Sequence, residues 1–99
     1  MVPLYVTRDE LDNRIVEELR DVAGPLREWW ESNRTEPFIL SDGTEPRFVL
    51  ARDGTACVHF DDNEDEFATG VIHNDQIAHV GLCGELRSAI YNVMHNRLI

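Results

Sequence analysis

Cys57, His59, His79 and Cys83 are the side chains of this chain whose types could hold a metal ion or act as a nucleophile–base pair. Two thiols and two imidazoles would suit tetrahedral zinc, with Cys57 and His59 two apart on one strand face and His79 on a neighbouring strand. The spacing matches neither a CxxC nor an HxxxH signature, and a structural cysteine beside half-buried histidines gives the same pattern. Cys83 offers a second chemistry. At the N-terminus of a closing helix its thiolate would be stabilised by the peptide dipole, with His79 four residues earlier as base. No glycine elbow accompanies it, and no phosphate loop, GxSxG or HExxH is present. The expectation is a non-enzymatic chain, with no catalytic residue, no metal and no cofactor.

The run Asp61-Asp62-Asn63-Glu64-Asp65-Glu66 is the other candidate. Asp61, Asn63 and Asp65 have the one–three–five spacing of a calcium loop. The sixth position is Glu66, where glycine makes the turn, and the twelfth is Ile72, where a bidentate glutamate belongs. What is left is electrostatics. From Asp53 to Glu66 the chain carries six carboxylates and no base, which is −6 of its net −10. All nine positive residues are arginine, against 19 acids. Such a field disfavours direct contact with nucleic acid or an anionic membrane and favours a basic protein partner.

Carboxylates spaced along a rigid hairpin end would imitate a phosphate array and occupy a basic groove. On this reading Asp61, Asp62, Glu64, Asp65 and Glu66, on an exposed loop, steer the encounter. Trp29 or Trp30 supplies an aromatic anchor. The chain is then a small acidic inhibitor or immunity-type protein acting on a nucleic-acid-handling target. A competing account is an acidic structural or regulatory domain from a salt-adapted or GC-rich organism, acting as a homodimer. It explains the absence of lysine, but compositional drift should spread evenly instead of concentrating in one block.

The elements that must position these residues read as α+β. Ninety-nine residues make a single domain, able to bury roughly 65% of the unfolded chain's surface. No stretch approaches the ~20 apolar residues of a membrane span. The N-terminus lacks a basic, apolar leader pattern, and two cysteines suit a reducing cytoplasm. Thr7 and Glu10 form a capping box ahead of Leu11, Ile15, Val16, Leu19, Val22 and Leu26 at helical spacing. Gly24-Pro25 then predicts a kink, or two helices near 8–22 and 25–33.

Strands follow. Phe38–Leu40 is short, and Arg47–Arg52 and Thr55–Phe60 flank the turn signal Asp53-Gly54. Residues 68–73 and 76–82 flank Asn74-Asp75 as a second hairpin, residues 84–97 form a closing helix, and Val2–Val6 is an edge strand. A turn at Asp53-Gly54 pairs Arg52 with Thr55, Leu50 with Cys57 and Phe48 with His59 on one face. Val49, Ala51, Ala56, Val58 and Phe60 then fall on the other. In the second hairpin Val71, Ala78 and Val80 share one side, Ile72 and Ile77 the other. Both faces are apolar, so each must be covered, by the N-terminal and C-terminal helices on opposite sides or by a second copy of the chain.

Overall fold

The capping box forms as the sequence predicts. In the computed structural model, which describes residues 6–97, Glu10 N–H donates to Thr7 Oγ1 and Thr7 N–H to the Glu10 carboxylate, each at 3.1 Å. Helix α1 (Arg8–Leu19) follows. It ends earlier than expected, and Val22 is buried from the turn beyond it. Gly24 has φ 61° and Pro25 opens helix α2 (Pro25–Asn33). Pro25 therefore sits at the first helical position, where its missing N–H costs nothing, and the break gives two helices instead of a kink.

Strand β1 (Arg34–Ser41) leaves α2 directly and is longer than the Phe38–Leu40 segment read from the sequence. Its first half was hidden because Arg34 and Glu36 are exposed and a bulge near Pro37 interrupts its pairing. Strands β2 (Pro46–Asp53), β3 (Ala56–Asp61), β4 (Glu66–His73) and β5 (Gln76–Gly84) continue an antiparallel meander. Helix α3 (Leu86–Met94) closes the chain, shorter than the expected 84–97. The α+β class therefore holds. The sheet also curls until β1 meets β5 through one parallel pair, Ser41 with Gln76, forming a barrel. The expected Val2–Val6 strand lies outside the described residues except for Val6, which packs against the core.

The first hairpin differs in register from the sequence reading. Asp53 pairs with Ala56, Arg52 with Cys57 and Ala51 with Val58, so the turn is Gly54-Thr55. Gly54 has φ 62° and Thr55 is not left-handed, the pattern of a type II′ turn with glycine first. A bulge at Leu50 then moves the pairing to Val49 with His59 and Phe48 with Phe60. Leu50 and Ala51 consequently share a face, which strict alternation forbids. The Asn74-Asp75 turn forms as expected, both residues at positive φ and His73 paired with Gln76. A bulge at His79, φ 54°, separates Val80 from the Ala78 side.

Two apolar clusters result. The larger joins Leu11, Trp30, Leu86, Ala89, Ile90 and Val93 of the helices to Leu50, Ala51, Val58, Phe60 and Phe67 of the sheet. Each fully buried Leu, Ile or Phe contributes roughly 1.5–3 kcal/mol, and Phe60 meets Phe67 edge-on at 5.1 Å. The smaller cluster, Val49, Cys57 and Ile77 with Phe38, Leu40 and Ile72, draws on strands only and lies inside the curl. All three helices thus cover one face, and the barrel closes over the other. Opposite-side helices are not needed. Gly70 permits the tight curl, since a Cβ there would run into Ile77 Cγ2.

Candidate functional site

Arg47 on β2 faces the barrel end where the β1–β2 and β3–β4 turns converge, and it gathers four carboxylates. Its Nη2 lies 3.1 Å from Asp42, 2.9 Å from Glu45 and 3.4 Å from Asp61, and its Nη1 lies 3.4 Å from Asp62. The Arg47 side chain is 6% exposed, and those of Asp61 and Asp62 are 8% and 4% exposed. Each turn is also tied internally. Asp42 accepts from Thr44 N–H, Thr44 Oγ1–H and Glu45 N–H at 2.8–2.9 Å. Asp61 accepts from the N–H groups of Asn63 and Glu64 at 3.0 and 3.2 Å. Asn63 Nδ2 donates across to Glu45. Burial pushes the Asp42 carboxyl upward, but the Glu45 and Thr44 donors and Arg47 more than offset this and hold it below its usual range.

The acidic run is therefore not one exposed loop. Asp61 and Asp62 turn inward onto Arg47, because buried carboxylates need a charge partner. Glu66 is half-buried and pairs with Asp61 at the start of β4. Asn63, Glu64 and Asp65 form the exposed tip. Asp65, φ 55°, accepts from Arg14 Nη1 on α1 at 2.8 Å. Arg14 in turn lies 5.7 and 5.6 Å from the ring centres of Phe60 and Phe67, a cation–π contact that fixes α1 beside the tip. Glu10, Arg14 and Glu17 fall at i, i+4 and i+7 on α1, so they form one stripe there, with Asp21 in the turn beyond. Among the described residues Glu17, Asp21 and Glu64 have no ion pair.

The tryptophans divide. Trp30 is 4% exposed within the larger cluster, so it is a core residue and no surface anchor. Trp29 is half-buried against the same cluster.

The thiols and imidazoles do not assemble. Among the described residues no group of three or more His, Cys, Asp or Glu is placed to hold a metal ion. Cys57 is buried inside the barrel, and burial pushes its thiol up to about 12. His59 is fully buried with Nε2 3.2 Å from the Thr69 carbonyl, and burial lowers its pKa to about 4. His79 is exposed at its bulge. Cys83 belongs to β5 and not to a helix N-terminus, because α3 starts at Leu86. Its thiol donates to Gly81 O and accepts from Asn92 Nδ2, both at 3.4 Å. The first N–H of α3, Leu86, instead donates to Glu18 Oε1 of α1 at 2.7 Å.

Sequence reasoning missed Arg47, Asp42, Glu45 and Glu18. An arginine within an apolar strand was a usable signal for the first, since such a residue must find acids. The other three depend on which turns and helices become neighbours. Among the described residues no helix is long and apolar enough to cross a membrane. Comparison with protein-family models, curated proteins and solved structures finds no match for this chain.

Proposed function

We propose that the chain is a non-enzymatic, acidic binding protein that docks on a basic, nucleic-acid-handling target and occludes its phosphate-binding surface. One observation carries the reading. The α1 stripe and the neighbouring β3–β4 tip present Glu10, Glu17, Asp21 and Glu64, and the single base among them, Arg14, is engaged by Asp65 and Glu18. The negative side chains are thus held on a rigid helix and a braced turn, where pre-organisation limits the entropy lost on binding. Steering by this surface belongs to Glu17, Asp21, Glu64 and Asp65. Asp61 and Asp62 support it from below by fixing the turn through Arg47, and of the two tryptophans only Trp29 is not fully buried.

The test is a nuclease-treated pull-down from the source lysate, comparing wild type with a Glu17→Lys/Asp21→Lys/Glu64→Lys variant. A basic protein retained by the wild type, lost by the folded variant and displaced from nucleic acid by the wild type is expected. Equal capture by both, or no basic partner, would overturn the reading. Reversing Asp61 or Asp62 would be a poor test because it removes partners of Arg47.

Homodimerisation is the second reading. Val80 and Leu82, two apart on β5, are 37% and 48% exposed, an apolar strip that a second copy could cover. Sedimentation equilibrium decides it.

A further inference from the structure

The outer surface between α2 and α3 differs chemically from the rest of the molecule. A cavity of about 490 Å³ opens there, lined by Leu26, Arg87, Ser88, Tyr91 and Asn92. None of these residues is acidic, in a chain with 19 carboxylates. That volume lies within the ~300–1,000 Å³ typical of small-molecule sites.

Arg87 is the informative residue. It sits in the first turn of α3, where the helix dipole disfavours a cation. Two carboxylates are close in the fold, Glu85 at the N-cap and Glu18 on Leu86 N–H, yet among the described residues Arg87 has no ion pair. Local stability gives no reason for a guanidinium there. Arg87 and Tyr91, and likewise Ser88 and Asn92, are four residues apart on α3, so all four project from neighbouring turns toward the cavity they line. Tyr91 packs against His95, its ring centre 4.3 Å away, and against the Arg97 guanidinium, 5.4 Å from the ring centre. A second cation therefore stands near the same helix face. The first N–H of α3, Leu86, is occupied by Glu18, and the anion-binding groups argued for here are side chains.

We infer that this cavity binds a small organic anion, a carboxylate or phosphate monoester on a flat apolar body. Arg87, Ser88 and Asn92 take the anionic oxygens, since a guanidinium and neutral donors match them geometrically. Leu26 and the Tyr91 ring take the body. The excess negative charge of the molecule does not forbid this at physiological ionic strength, where exposed charges beyond ~8 Å are largely screened.

The experiment is an amide-resolved NMR titration of the full chain with benzoate, phenyl phosphate, inorganic phosphate and benzyl alcohol. Benzoate or phenyl phosphate should saturate on the order of 1–10 mM, as expected for a fragment-sized ligand, with the largest shifts at Ser88, Tyr91 and Asn92. Whichever saturates identifies the anionic group. Arg87→Gln, which removes no ion-pair partner among the described residues and should leave melting unchanged or slightly raised, is expected to weaken that binding about tenfold or more. Inorganic phosphate should bind at least about tenfold more weakly for want of the apolar body. The inference is overturned if neither aromatic anion saturates, if the shifts map elsewhere, or if Arg87→Gln binds equally. It also fails if benzyl alcohol or inorganic phosphate matches the aromatic anions.

Discussion

Arg47 is surrounded by more negative charge than it can neutralise, and the surplus is tolerated because Asp42 and Asp61 also accept backbone N–H groups. Removing the cation leaves those carboxylates close together and half out of water. Arg47→Met, similar in length and uncharged, should therefore cost about 3–5 kcal/mol of stability in urea unfolding. Asp61→Asn keeps the shape but not the charge and should cost about 1–3 kcal/mol. Asp53→Asn, the same chemical change at an exposed position, should stay within about 0.5 kcal/mol of wild type. Equal effects of the two aspartate variants would disprove the bracing role. His59 makes a pH prediction. Its folded pKa, lowered to about 4 by burial, lies below the ~6.5 of an unfolded histidine. The unfolded chain then binds the extra proton between these values, so this contribution is complete above pH ~6.5 and is lost as pH falls toward ~4. The difference corresponds to about 3 kcal/mol. Urea midpoints at several pH values should show His59→Leu less pH-sensitive than wild type across that window.

Helix α3 is short, and its N-cap residue Glu85 makes no side-chain capping bond. The cap comes from Glu18, remote in sequence, and it couples α1 to α3. Glu18→Ala should cost about 1 kcal/mol and speed hydrogen exchange at Leu86 more than within α1. Unchanged exchange at Leu86 would show that the bond does not hold the helix. This cap also illustrates what the sequence could reveal. Thr7, Glu10 and Pro25 act on their own neighbours, so both N-terminal helices were legible. The Asn74-Asp75 turn was legible for the same reason. The bulge at Leu50 was not, because it is set by how β2 must bend to place Leu50 and Ala51 together under the helices. The first hairpin's turn was misread by one residue, because Asp53-Gly54 and Gly54-Thr55 both suit a tight turn and packing chooses between them. The same limit applies to the acidic run. Its charge was plain, but the division between Asp61 and Asp62 inside and Glu64 and Asp65 outside depends on Arg47 reaching across from β2.

At the scale of the whole molecule, among the described residues five arginines are in ion pairs with the chain's own acids: Arg8, Arg14, Arg27, Arg34 and Arg47. Their partners outnumber them, and the acids outside these pairs outnumber the remaining arginines, so the net −10 is spread over both sets within a radius of gyration of 12.2 Å. The screening length is ~30 Å at ~0.01 M salt, so all these charges repel one another there, and ~8 Å at ~0.15 M. Melting temperature should rise by several degrees over that interval, since about 1 kcal/mol shifts it by ~4–8 °C in a domain of this size. Glu17→Gln/Asp53→Asn/Glu64→Gln should start higher at low salt and rise less. An equal rise in both proteins would mean that the exposed acids do not act as a common field. The shape of the curve separates the two readings of the acidity. Coulomb repulsion is nearly extinguished once the screening length falls to ~3 Å near ~1 M salt, so a surface built to meet a basic partner should gain little beyond ~0.5 M. A gain that continues steeply through ~2 M would go beyond screening and assign the acids to salt adaptation.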